Sequence, residues 1–349
     1  MTVAAVILAA GASTRFGSPK QQARIGGRTL VERAVDTARE AGLDPIVVVL
    51  PPGIDAPSPA ERAVNDDPAA GLSRSLRLGL AALGSDVDYA VILLADQPTL
   101  SVDTLHSILT EPDGRRPIVA ASADRRLGPP VLVRRDAFGL ADEVSGDLGL
   151  RTILDERPEL VATVEIDAHA PDVDTHEDLE RLGERCPGCR ELYLPTEATA
   201  THQYIGSSPA CWEMFSELLA REFADPAYGV VHRHTVDVYA VQHPGGDGRR
   251  QRQSVAVHLI GLCHWLEHGL SAAELNRMTQ ELASLNADWP WLTPPERYDM
   301  TVADVLHAGS GEAHVRLTRE WAESVWGAWS RHQSTVRAWA KRAVQRRIP

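Results

Sequence analysis

The stretch Leu8-Ala9-Ala10-Gly11-Ala12-Ser13-Thr14-Arg15-Phe16-Gly17-Ser18-Pro19-Lys20 decides the fold of the first half of the chain. It continues an apolar run, Ala4 to Ala9, and precedes a helical pattern from Thr29 to Ala41. An apolar strand that enters a glycine-bearing turn and then an amphipathic helix opens a β-α-β unit. The turn carries what a triphosphate needs. Gly11 and Gly17 admit backbone N–H groups close to phosphate oxygens, Arg15 offers a planar fork, and Lys20 offers a compact charge. Lys20 is also the only lysine among residues 1–184. The spacing fits neither the Walker loop nor G-x-G-x-x-G. A solvated Arg and Lys on an ordinary strand-to-helix loop is the plainer alternative.

Outward from this stretch the same alternation continues. Apolar runs at Ile46 to Leu50 and Tyr89 to Ala95 flank a helical pattern at Leu72 to Leu83. Strands apolar on both faces, separated by amphipathic helices, predict an α/β fold with a doubly covered, mostly parallel sheet. Thr29 with Glu32 reads as a capping box, and Gly42 ends that helix. Its buried stripe is Leu30, Ala34, Val35, Ala38 and Ala41.

The run Val91-Ile-Leu-Leu-Ala95 ends on Asp96-Gln97-Pro98. Ligands of open α/β sheets gather beyond the carboxyl ends of the strands, so Asp96 and the Gly11 turn are expected to converge. A carboxylate there suits Mg2+ held against a triphosphate. A turn or helix-capping Asp before Pro98 is the alternative.

These residues resemble the nucleotidyltransferase family that includes the molybdenum-cofactor cytidylyl- and guanylyltransferases. The resemblance spans about residues 3–183 and rests on five motifs in order: Leu8 to Gly11 with Arg15, Gly17 and Lys20; Asn65 with Gly71-Leu-Ser-Arg-Ser75-Leu76; Asp96-Gln97-Pro98; Gly146-Asp147-Leu-Gly149-Leu-Arg151; and Asp172-Val-Asp174 through Leu179. It implies a Rossmann-like sheet of the nucleotide-diphospho-sugar transferase type. It also implies a nucleotide site at Leu8, Ala9, Ala10, Gly11, Ala12, Arg15, Lys20, Asn65, Gly71 and Ser75, with Arg15, Lys20 and Asp96 as the catalytic set. Asp96 and Asp174 become the Mg2+ ligands, and Gly128, Pro130, Gly146, Asp147 and Gly149 the acceptor site. Asp178 reads as the cap of the last helix. Cytidylyltransferase members tend to carry Gly-His-Pro where this chain has Gly128-Pro129-Pro130.

The expected chemistry is attack by an acceptor phosphate on the α-phosphorus of a nucleoside triphosphate, with CTP as donor, the molybdenum cofactor as acceptor and pyrophosphate leaving. The same chemistry on another phosphorylated metabolite, or a nucleotide-sensing module that regulates the second half, are the alternatives. A molybdoenzyme, or a second copy of the chain, is the expected macromolecular partner. A Ser-His-Asp hydrolase is excluded, because His106, His169 and His176 are the only early histidines and none sits at a nucleophile elbow.

A length of 349 residues predicts two domains. With 44% hydrophobic and 24% charged residues the chain is ordinary and globular. A net charge of −13 disfavours nucleic acid and anionic membrane. No apolar run approaches the twenty or so residues of a membrane helix, and no positively charged segment precedes the apolar start, so a cytoplasmic protein is expected.

Residues 1–184 carry 18 Lys+Arg against 30 Asp+Glu, whereas residues 185–349 carry 17 against 18. All eight Trp and all four Cys lie in the second stretch. The expected boundary therefore separates a nucleotidyltransferase domain, 1–184, from a Cys/His-containing domain, 185–349. Helical patterns at Cys211–Phe223, Ser254–His268, Ala272–Leu285, Thr318–His332 and Ser334–Val344 make the latter mainly helical. The tail Arg331 to Pro349 is basic, with Arg346 and Arg347 near its end.

Cys186-Pro-Gly-Cys189 presents two thiolates on one turn, half of a Zn2+ site. His202 and Cys211 are the expected completing ligands, with His232 and His234 as substitutes, and ordinary core histidines as the plainer reading. Trp321, Trp326, Trp329 and Trp339 read as packing. Gln242-His243-Pro244 and Gln253-Ser254-Val-Ala-Val-His258 resemble an uncharacterised Cys/His-containing bacterial family, which implies no activity.

Overall fold

The computed structural model describes residues 1–110, 114–284 and 287–344. The chain divides into two compact units, Met1–Arg24 with Thr29–Leu179, and Ile25–Arg28 with Glu180–Pro349.

The strands of the first unit's main sheet are β1 (Val3–Leu8), β4 (Ile46–Leu50), β5 (Glu61–Val64), β6 (Tyr89–Leu94), β7 (Ile118–Ala123), β8 (Arg126–Arg134) and β9 (Val161–Glu165). The pair β2 (Arg24–Ile25) and β3 (Arg28–Thr29) forms a separate small ribbon. Among the described residues the main sheet has seven strands in the order β5-β4-β1-β6-β8-β7-β9. Only β8 runs antiparallel to its neighbours, pairing Ile92 with Val131 on one side and Ile118 with Val133 on the other. Its register skips Pro129 and Pro130, since Ala120 faces Val131 and Ala121 faces Gly128. Two prolines that cannot donate to the ladder account for this irregularity.

Central strands are buried on both faces, which is why their sequences lack alternation. On β1, Ala4, Val6 and Leu8 face one layer with Leu76 and Leu80 of α2 (Leu72–Ala81). Ala5, Ile7 and Ala9 face the other, with Val31, Val35 and Ala38 of α1 (Leu30–Glu40) and Leu105 and Ile108 of α3 (Val102–Thr110). Gly79 lets α2 approach the sheet, because a Cβ there would collide with Val6. The Thr29–Glu32 capping box is present. Helix α4 (Arg151–Glu156) and the first turn of α5 (His176–Arg181) complete this unit.

The second unit begins with a ribbon of β10 (Glu184–Arg185) and β11 (Leu192–Tyr193). Seven helices follow among the described residues: α6 (Pro209–Ala224), α7 (His232–Gln242), α8 (Arg249–His268), α9 (Ala272–Ser284), α10 (Val302–His307), α11 (Glu312–Ala328) and α12 (Gln333–Val344). The patterned segments of the sequence fall on α6, α8, α9, α11 and α12. Leu285 of the third pattern, and Arg346 and Arg347 of the basic tail, lie outside the described residues. Helix α7 escapes periodicity because nearly its whole circumference is buried, leaving no polar stripe. Trp321, Trp326, Trp329 and Trp339 all enter the apolar core. No described helix is long and apolar enough to cross a membrane.

Candidate active site

Leu8 of β1 pairs with Leu94 of β6, so the Gly11 turn and Asp96 leave the sheet at adjacent strand ends. Backbone contacts shape the turn: Ser13 adopts a left-handed conformation at φ 52°, and its carbonyl accepts from the amides of Phe16 and Gly17. The Ser13 hydroxyl accepts from the amide of Lys20 at 3.1 Å. Lys20 is thereby aimed back across the strand ends. Its Nζ donates to Asp96 Oδ2 at 2.6 Å and to Asp174 Oδ1 at 3.3 Å. Arg15, largely exposed, reaches the other Asp174 oxygen at 2.8 Å.

Burial by itself would lower the Lys20 ammonium; the charges of Asp96 and then Asp174 outweigh it and hold the group above the usual lysine range. It stays a fixed cation. Asp174 is fixed from behind, since Asp178 accepts from the amides of Asp174 and Thr175 and from the Thr175 hydroxyl. The N-cap of α5 is Thr175, whose hydroxyl accepts from the Asp178 amide at 3.1 Å, and Asp178 is the reciprocal member of that capping box and not the cap itself.

Leu8, Ala9, Ala10, Gly11, Ala12, Arg15 and Lys20 line a cavity of about 430 Å³ that also takes in Gly71, Ser75, Asp96 and Asp174. That volume suits a small-molecule ligand. Asn65 does not line it. Fully buried, Asn65 donates to Ser75 Oγ at 2.9 Å and accepts from Arg74 Nε and the Asp67 amide, so it braces the loop instead of facing the ligand space.

A second cavity of about 410 Å³ is lined by Gly128, Asp147 and Gly149. Asp147, Leu8, Leu72 and Leu94 belong to both cavities, which therefore adjoin. Pro130 is buried, and Pro129 lines the cavity in its place. Gly146 lies behind the wall: Gly71, at φ +87°, sits so close that a Cβ would collide with the Gly146 backbone.

Gln97 and Asp172 belong to motifs that carry the resemblance but receive no role from it, and His169 lies in none of those motifs. Gln97 donates to Asp172 at 3.0 Å, and burial, followed by repulsion from Asp96, raises the Asp172 carboxyl above the usual range. His169 packs against Gly128 and reaches the carbonyls of Pro129 and Arg126 at 3.3 and 3.0 Å. An imidazole thus reaches Gly128-Pro129-Pro130 from a distant loop.

The fit of this site to Mg2+ rests on Asp96 Oδ1. That oxygen is buried and has no hydrogen-bond partner, beside a second carboxylate, Asp174. Two hard oxygen donors on the wall of this cavity match magnesium chemistry.

In the second unit, Cys186, Cys189, Cys211 and His243 bring their donor atoms within 4.8 Å of one another. Three of the expected zinc ligands therefore meet. His202 is not the fourth: its Nδ1 accepts from the Tyr204 amide and its ring lies by Trp212. His232 and His234 are also elsewhere, the first bound to Glu222 and the second stacked on Trp265.

A mostly parallel sheet whose first turn carries Arg15 and Lys20, opposite Asp96 at the end of the neighbouring strand and Asp174 on the loop after β9, defines an α/β protein of the kind that binds ligands at its carboxyl edge. Through residues 5–161 the chain belongs to the family of MobA-like NTP transferase domains, while residues 184–330 match a family of unknown function, DUF5946. It is 35% identical to nicotine blue oxidoreductase of Paenarthrobacter nicotinovorans, over 52% of this chain and 96% of that one. A molybdenum cofactor guanylyltransferase assigned as probable in Opitutus terrae is 28% identical over 36% of this chain and 72% of its own. Among solved structures, Rv0371c of Mycobacterium tuberculosis H37Rv superposes with a TM-score of 0.48 and 28% identity, covering 52% of this chain and 98% of that one.

Proposed function

We propose that the first unit joins the nucleoside monophosphate of a triphosphate, CTP, to a phosphorylated acceptor, the molybdenum cofactor, and releases pyrophosphate. The observation that carries this reading is Lys20, held between Asp96 and Asp174 on the wall shared with the Gly11 turn.

The triphosphate lies along residues 8–15, where backbone amides and Arg15 bind its oxygens. Lys20 keeps its proton and offsets charge that develops toward the leaving pyrophosphate. Arg15 exchanges Asp174 for phosphate as the nucleotide enters. Asp96 and Asp174 would hold Mg2+, which when bound supplies charge neutralisation at the phosphates. The adjoining cavity orients the acceptor so that its phosphate meets the α-phosphorus in line, and no protein nucleophile is required.

Pyrophosphate release, measured with each of four nucleoside triphosphates and a panel of phosphorylated acceptors with and without Mg2+, tests this. Greatest turnover is expected for CTP with the molybdenum cofactor, and only with Mg2+. Tight triphosphate binding without release for any acceptor would replace the transferase by a nucleotide sensor. A parallel assay for reduction of nicotine blue tests the activity in the name of the 35% identical relative.

A further inference from the structure

We infer that Cys186, Cys189, Cys211 and His243 hold one Zn2+ ion in a closed structural site of the second unit. The four residues come from three separate segments: the turn between β10 and β11, the first turn of α6, and the residue that ends α7. All four are at most 2% exposed.

The spacing is that of a single tetrahedral ion. With Zn–S near 2.3 Å and Zn–N near 2.0 Å, two thiolates on one zinc stand about 3.8 Å apart, and a thiolate and an imidazole about 3.5 Å apart. Cys189 and Cys211 place their sulfurs 3.9 Å apart, and Cys211 Sγ lies 3.2 Å from His243 Nε2. Donors this close surround one ion and leave no space among them for several irons with bridging sulfides.

The surroundings are arranged for three thiolates and a neutral imidazole. His243 Nδ1 donates to the carbonyl of Tyr239 at 2.8 Å, which leaves the Nε2 lone pair facing the sulfurs. Each ligand sulfur has its own donor: the Ser208 amide on Cys186 at 3.4 Å, the Tyr193 hydroxyl on Cys189 at 3.7 Å, and the Tyr239 hydroxyl on Cys211 at 3.4 Å. Three thiolates around a divalent ion leave one negative charge in a buried place, and these three donors offset it. Close approach is built in as well, since a Cβ at Gly188 would collide with the His243 ring. With four protein ligands the ion has no open position, so its role is to fasten the turn onto α6 and α7 and not to bind substrate. Loading the reduced site displaces the thiol protons of the three cysteines to solvent.

Elemental analysis of the full chain, purified under reductant without chelator, should give one zinc per chain. Metal-free protein should take up Co2+ with thiolate-to-cobalt charge-transfer absorption and the intense visible bands of a tetrahedral ion. His243→Ala and Cys211→Ser should abolish the one-to-one stoichiometry, whereas Cys263→Ser, a buried thiol outside the cluster, should retain it. If the ligand variants fail to fold, Co2+ titration of chelator-treated wild type still decides the matter. Reduced wild-type protein that takes up neither ion, a disulfide between two of the three cysteines in protein purified under reductant, or an octahedral cobalt spectrum would overturn the site. One iron per chain in place of zinc would overturn the identity of the metal.

Discussion

The amide of Val173 donates to the carbonyl of Asp96 at 2.8 Å. This bond ties the loop after β9 to the end of β6, and the next residue after Val173 is Asp174. The two carboxylates at the candidate site owe their proximity to a main-chain clamp; their like charges would otherwise drive them apart, and Lys20 between them compensates.

The first prediction concerns that lysine and its partner. Lys20→Ala and Asp96→Asn should each lower turnover by a factor on the order of 10² to 10³, the usual loss when one preorganised electrostatic contact is removed. Circular dichroism should stay unchanged, because neither side chain belongs to an apolar core. Pyrophosphate release by Asp96→Asn within a few-fold of wild type would remove Asp96 from the chemistry.

Gly71 supplies the second. At φ +87° and pressed against the Gly146 backbone, it tolerates no Cβ, so Gly71→Ala should cost at least about 1 kcal/mol of stability. Since Pro68, Ala69, Gly71 and Leu72 border the larger cavity, triphosphate affinity should fall as well. Unchanged melting and unchanged binding would show that this approach is loose in solution.

A third prediction separates the two units. Residues 1–184 should fold alone and bind triphosphate, yet melt below the full chain. Residues 25–28 belong to the second unit, where the Gly26 amide donates to Leu192, the Gly27 amide donates to Glu191, and His307 donates to the Gly26 carbonyl. A shortened chain leaves those groups to water and uncovers Ile25. Gly27→Ala in the full chain should also destabilise, because its Cβ would press on Ala303. A fragment without native-like circular dichroism would refute autonomous folding.

The fourth is a pH dependence. His234 stacks on Trp265 with ring centroids 3.5 Å apart and its Nδ1 buried without a partner; burial pushes its imidazole down to about 4. The unfolded chain, with an ordinary histidine near 6.5, therefore takes up this proton first as pH falls. Stability is unaffected above that value and is lost between about 6.5 and 4. Going from pH 7.5 to 5, wild type should lose about 2 kcal/mol more than His234→Phe in urea unfolding. Equal losses in the two proteins would show that His234 is protonated as readily folded as unfolded.

What the sequence determined by itself is local. Continuous apolar strands, the Thr29–Glu32 cap, and the placement of Arg15, Lys20 and Asp96 at strand ends follow from burial on both faces, from side chains three residues apart, and from chain direction. These features are written within a single turn or strand. Tertiary structure decided the relations between distant segments. The antiparallel course of β8 depends on which neighbours it joins, and periodicity is blind to strand direction. Helix α7 is hidden because burial all round erases the amphipathic stripe. His243, and not His202, completes the cysteine cluster because α7 ends there, and no spacing rule encodes where a helix packed among others will stop. Asn65 looked like a ligand contact and became a brace, since only the packed loop shows which polar atoms are already satisfied. Asp174 meets Asp96 through one long-range backbone hydrogen bond, a pairing set by the closed fold and legible in neither segment alone.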